Sequence, residues 1–293
     1  MKKTLLAAAL TVAMAGTASA YTSYLMPEDF WPDRRSVTLQ AAYATSFFTP
    51  AVAMASEFAV VMPDGSGGIY SQIEVAGEST TLRSPLPEAG TYRFTTGEQV
   101  GRVATMVGVD GGWRELRDGE TAPEGAQVTT LQTVTMADAY VTLGEPTRGA
   151  VDNQTGRLAL RPVTHPNQIL VSDGFQIQLL FDGAPFPNMP IVLYNAGDPE
   201  TDLSQYFVTD PNGVATLVLD APGHYMATVR HRAAAPPGSA AAVQSYTTSL
   251  TFEAMDFLPE IVAIGDEDAE EEQGARTRPP PARRRGGRMG MRD

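Results

Sequence analysis

Gly174-Phe175-Gln176-Ile177-Gln178-Leu179-Leu180-Phe181 places Phe175, Ile177, Leu179 and Phe181 on one face and the glutamines on the other. Period-two alternation of this kind marks a strand with one buried face. Asp182-Gly183 follows as a tight turn, since both residue types tolerate the backbone such turns require. Met189 to Tyr194 then reads as the returning strand. Tyr206-Phe207-Val208 leads into Asp210-Pro211-Asn212-Gly213, which reads as a hairpin turn. Val214 to Leu219 and His224 to His231 read as a pair around Pro222-Gly223, and Tyr246 to Phe252 closes the series that Arg157 to Val163 opens. The face of Phe175, Ile177, Leu179 and Phe181 is predicted to meet either Val214, Thr216 and Val218 or their alternates, Leu217 and Leu219. About seven strands in about 100 residues is the size of an immunoglobulin-like or transthyretin-like β-sandwich.

The same rhythm precedes this region. Ser36 to Tyr43 carries Val37, Leu39, Ala41 and Tyr43 on one face. Phe58 to Met62 is ended by Pro63-Asp64-Gly65, and Ile69 to Val75, Thr91 to Thr96, Arg102 to Val109 and Val128 to Leu143 follow. Phe47 to Ala55 has room for a short helix after Pro50, and no longer amphipathic helix is visible. The fold class is therefore all-β, with two consecutive antiparallel β-sandwich domains. The predicted boundaries are a signal peptide at 1–20, an N-terminal sandwich at 21–145, a linker at 146–156, a C-terminal sandwich at 157–262 and a tail at 263–293.

Composition fits this division. A chain of 293 residues suits about two domains. Its 22 prolines and 27 glycines favour short strands joined by turns over long helices. Lys2 and Lys3, the apolar run Leu5 to Ala15 and Ala18-Ser19-Ala20 form the three parts of a secretory signal. The mature chain is expected to begin at Tyr21 and to be periplasmic, with no transmembrane segment. The absence of cysteine excludes thiolate metal sites, thiol nucleophiles and disulfides. A formal charge of −13 argues against nucleic-acid binding. In the tail, acidic Asp266 to Glu272 gives way to Arg- and Pro-rich Arg276 to Arg292. Neither stretch has the apolar content to offset ordering, so disorder is expected.

Candidate chemistry is sparse. His165 sits in a loop before Pro166, while His224 and His231 lie on one strand seven residues apart. That spacing directs them to opposite faces, so the two cannot chelate one ion; all three read as surface or strand-end histidines. Glu28 and Asp29 beside Trp31 read as a solvated loop rather than an acid–base pair. Asp210 to Gly213 lacks the further carboxylates of a calcium loop. The aromatic stretch Tyr24 to Pro32, with Phe30 and Trp31, reads as a strand packed onto the first sandwich. No nucleophile elbow, phosphate-binding glycine loop or H-E-x-x-H is present. Catalytic residues are therefore expected to be none, and the chain is not read as an enzyme.

The aromatic mature start, Ala139 to Pro146, Gly174 to Tyr194, Thr209 to Ala215 and Pro222 to Tyr225 resemble a periplasmic family of unknown function. Its members are commonly described as a periplasmic component of nickel or cobalt uptake. The resemblance implies a two-sandwich binding or accessory protein, with a transition metal, nickel or cobalt, as its cofactor. Members often start the mature protein with histidine; this chain has Tyr21-Thr22-Ser23 there, so no metal ligand carries over. Two functions follow as expectations. One is a periplasmic binding or accessory protein for metal or metal-chelate uptake, partnered by envelope proteins or a transport system. The other is a structural or protein-interaction module of the envelope without a small ligand.

Overall fold

The computed structural model describes residues 21–153 and 155–261. The stretch read as a signal peptide and the whole of the segment read as a tail lie outside these residues. In chain order the first half comprises β1 (Thr22–Pro27), β2 (Ser36–Ala44), β3 (Val52–Ala53), β4 (Ala59–Val61), β5 (Gln72–Ala76), β6 (Ser79–Pro85), β7 (Gly90–Thr95), β8 (Gln99–Val109), β9 (Gly112–Glu115) and β10 (Val128–Leu143). A single helical turn, α1 (Gly149–Asp152), follows. The second half comprises β11 (Leu158–Pro162), β12 (Phe175–Phe181), β13 (Ala184–Pro185), β14 (Pro190–Asn195), β15 (Tyr206–Val208), β16 (Val214–Leu217), β17 (Gly223–Ala234) and β18 (Val243–Ala254).

Three sheets build two sandwiches. The first layer runs β1-β2-β6-β5, with β3 also on β2, and the third runs β11-β12-β13, with β16 also on β12. Between them a single sheet runs β15-β14-β17-β18-β10-β7-β4, extended by β8 on β10 and β9 on β8. Within each half the strand order is that of an immunoglobulin-like sandwich. In the first, β1, β2, β6 and β5 face β4, β7 and β10; in the second, β11, β12 and β16 face β15, β14, β17 and β18. The halves join through their last strands, β10 and β18, which pair in parallel from Leu131↔Val243 to Ala139↔Thr251. Every other strand pair is antiparallel.

The cores follow the alternation. Leu25, Leu39, Leu82, Tyr92, Phe94 and Val141 fill the first sandwich. Phe175, Ile177, Leu179, Leu193, Leu217 and Phe252 fill the second. A third cluster, including Tyr24, Phe47, Tyr194 and Met226, sits between the halves. Of the two sets offered to face β12, the structure selects Leu217 and Leu219, which are buried beside Ala215, whereas Val218 is exposed. Each half also carries a tyrosine corner. Tyr92 Oη donates to Glu88 O at 2.7 Å and Tyr225 Oη to Ala221 O at 2.5 Å.

Several connections differ from the sequence reading. Asp210 to Gly213 is not a hairpin: β15 belongs to the central sheet and β16 to the third, so the turn crosses the sandwich. Met189 to Tyr194 does not return beside β12, and His224 to His231 does not pair with β16, for the same reason. The hairpin at Asp182-Gly183 reaches only the two residues of β13 before the chain changes layer. No helix forms in Phe47 to Ala55. Val52 and Ala53 instead pair with Tyr43 and Ala42, and Met54 is buried. The stretch read as a linker holds α1, whose Ala150 and Val151 are fully buried. A Cβ at Gly149 would stand 2.1 Å from the Pro63 carbonyl oxygen, so only glycine allows this close approach.

Candidate functional site

The three histidines lie in three separate environments. His224 pairs across the strand with Glu253, its Nε2 3.6 Å from Glu253 Oε1, and its ring lies 5.6 Å from that of Phe30. His231 is half-buried between Phe181 and Phe186, with ring centroids 4.9 and 4.8 Å away. Burial, and then the Arg157 guanidinium, pull its pKa below the usual imidazole value. Arg157 caps this aromatic end of the second sandwich. It lies 4.9 Å over the Phe181 ring and binds Asp182 through Nη2–Oδ2 at 2.7 Å.

His165 corrects its assignment as a surface histidine. It is buried where the halves meet, with its ring bonded to Thr91, Thr147 and Asn167. Asn167 N–H donates to its Nδ1 at 3.3 Å. The proton of the neutral ring therefore sits on Nε2, which faces Thr147 O at 3.1 Å and Thr91 Oγ1 at 3.0 Å. The threonine hydroxyls then donate in one direction. Thr147 N–H donates to Thr91 Oγ1, Thr91 to Thr142 Oγ1, and Thr142 to Asn167 Oδ1. Asn167 Nδ2 in turn reaches Tyr140 O and Phe30 O, and Trp31 Nε1 donates to Asn167 O at 3.0 Å. The ring's hydrogen-bonding atoms are spent on structure.

The remaining sequence candidates also serve the fold. Asp29 Oδ1 accepts the Trp31 N–H at 2.8 Å in an exposed turn, and Glu28 is exposed, so no carboxylate pair forms. Phe30 is buried, as is Tyr24, in line with a packed rather than an exposed aromatic start. Asp210 Oδ1 accepts the N–H groups of Asn212 and Val214, both at 2.8 Å. At the edge where β1 lies, Glu200 accepts from Thr22 Oγ1 at 2.7 Å and forms an ion pair with Arg230. Among the described residues no group of three or more His, Asp or Glu side chains is placed to hold a metal ion.

Two sheet margins carry exposed apolar side chains. β8, β9 and the first half of β10 form a ribbon with Val100, Val103 and Val128 exposed. At its tip lies an open trough of about 350 Å³, lined by Gly108, Asp110, Gly112, Trp113 and Gln127 among others. β5 is a second margin. Ile73 pairs with Leu82 and Val75 with Thr80, so these side chains share the core-facing side of the sheet. Leu82 and Thr80 are sealed, yet Ile73 is 54% and Val75 59% exposed. The facing layer ends at β4, which has only three residues, leaving the core-type face of β5 overhanging. Sequence reasoning missed this because Gln72-Ile73-Glu74-Val75 alternates like any buried strand.

The family model for a domain of unknown function, DUF4198, matches residues 18–233, and the chain belongs to that family. No curated protein matches it. Among solved structures, the D0-D1 domain of intimin aligns at 11% identity and a TM-score of 0.20, over 78% of this chain and 96% of that one. The D00-D0 domain of intimin aligns at 12% identity and a TM-score of 0.18, over 79% and 100%.

Proposed function

We propose that this chain is an exported, non-enzymatic interaction module of the cell envelope that binds partner chains along its open sheet margins. The observation that carries it is the overhang of β5, where Ile69, Ile73 and Val75 stand exposed on one margin instead of scattered. An open edge with apolar side chains is a template for an added strand, which pairs through its backbone and seats alternate side chains. Export is supported by the Ala18-Ser19-Ala20 site, and N-terminal sequencing of envelope material should read Tyr-Thr-Ser-Tyr. Intact Met1 in that fraction would overturn export.

A photo-crosslinking side chain at Ile73 tests the contact. In intact cells it should give a discrete adduct that Val75→Lys removes and that the same probe at exposed Gln176 never gives. Equal labelling from both positions would sink the margin as a binding surface. Calorimetric titration of the mature protein with nickel and cobalt tests the competing metal-uptake role. Binding tighter than about millimolar, about 4 kcal/mol, would bring that role back.

A further inference from the structure

We infer that β15 pairs with β15 of a second copy of this chain, giving a two-fold dimer in which the central sheets of both copies become continuous. The β14–β15 ladder fixes which backbone groups of β15 face outward. Leu193 N–H donates to Gln205 O at 2.9 Å and Thr209 N–H to Met189 O at 3.0 Å. Positions in an antiparallel pair alternate between bonded and non-bonded. In the register Pro190↔Val208, Ile191↔Phe207 and Val192↔Tyr206, residues 205, 207 and 209 therefore turn their backbone groups toward β14. Tyr206 and Val208 turn both N–H and C=O away from it, along the end of the central sheet. Their side chains are 58% and 54% exposed.

These outward groups match a copy of themselves. An antiparallel pair centred on Phe207 sets Tyr206 opposite Val208 of the second copy, twice. Each such pair exchanges two backbone bonds, four in all, and each is an aromatic opposite a β-branched residue, a favourable cross-strand combination. Gln205 falls opposite Thr209, so no charge meets a like charge. A surface self-complementary about one centre is what a two-fold interface requires. The margins at β5 and β4 are not built this way. A β5 pair centred on its middle residue would set Glu74 against Glu74. The outer side of β4 is occupied by its own chain, through Gly68 N–H to Val60 O at 2.8 Å. β15 also lacks the lysine, proline or inward charge that commonly blunts an edge.

Sedimentation equilibrium of the mature protein should show mass rising from one chain to two with concentration. Val208→Pro should abolish that rise. The lost N–H faces away from β14, so the fold keeps its ladder while the dimer loses two of four bonds, as proline on an edge strand allows. Cysteine trapping gives a second reading, because the chain has no cysteine of its own. Phe207→Cys places two thiols at the two-fold centre, at a Cα separation of about 4.5 Å, within disulfide range. It should close to a covalent dimer, and Tyr206→Cys, offset from its own copy by two positions, should not. A protein that stays monomeric at every concentration, a dimer that survives Val208→Pro, or equal crosslinking of the two cysteine variants would overturn the inference.

Discussion

Arg93 and Asp138 form an ion pair sealed from solvent, with Nη2 2.9 Å from Oδ2 and side-chain exposures of 0% and 3%. The pair joins β7 to β10 on the face away from the first core, and Arg93 Nη1 donates onward to Asn153 O at 2.6 Å. It thus fastens the segment after α1 to the first sandwich. A buried pair of this kind adds little over an apolar replacement, yet removing one partner strands a charge. Asp138→Ala should cost about 3–5 kcal/mol, whereas Arg93→Met with Asp138→Leu should recover most of it. Urea unfolding of both variants checks this. Equal losses for the single and double variants would mean that packing, not charge, governs the site.

The tyrosine corners should matter alike in both halves. Leu86, Gly90 and Tyr92 recur at the same spacing as Leu219, Gly223 and Tyr225, and in each case the leucine and tyrosine are buried. Tyr92→Phe and Tyr225→Phe each leave a turn carbonyl without its donor, at a cost of about 1–3 kcal/mol. Thermal midpoints should fall for both. An unchanged midpoint for Tyr225→Phe would show that water replaces the hydroxyl there.

Strand positions were legible where alternation was clean. Val128 to Leu143 and Tyr206 to Val208 match β10 and β15 at both ends, and Ser36 to Tyr43 misses β2 by one residue. β6 escaped because its inward positions include Thr80 and Ser84, whose hydroxyls donate to Met54 O and Ile69 O. Sheet membership was not legible at all. Alternation is a property of one strand, whereas the layer it joins is decided by partners far away in sequence, as β10 and β18 show. The repeated Leu-x-x-x-Gly-x-Tyr is a local sign of the duplicated corners. Nothing local marked His165, because Thr91, Thr142 and Thr147 become its neighbours only after both halves fold.

Leu179 and Gln176 test the register of β12. Leu179 is fully buried in the second core and Gln176 is exposed on the other face. Leu179→Ala should cost about 2–5 kcal/mol through lost burial and the cavity left behind. Gln176→Ser should fall within about 0.5 kcal/mol of the parent. Chemical denaturation measures both, and comparable losses at the two positions would contradict the observed pairing of Ile177 with Ala215.

His165 should make the junction between the halves acid-sensitive. Burial lowers its pKa, partly opposed by the bond to Thr147 O, with Arg148 lowering it further and Asp152 raising it. The geometry agrees. Nδ1 accepts from Asn167 N–H, so a second ring proton would point donor against donor. The folded protein then binds this proton less readily than the unfolded chain, whose histidine titrates near pH 6.5. Stability from this site is present in full above about pH 6.5 and is lost as pH falls through the lowered folded value. The unfolding free energy should therefore decline with acid in that window, and the slope should flatten in His165→Gln. Asn167→Ala, which breaks the same network without titrating, should lower stability equally at pH 8 and pH 5.5. A slope that persists undiminished in His165→Gln would assign the acid sensitivity to another group, His231 first, because its pKa is also depressed by burial.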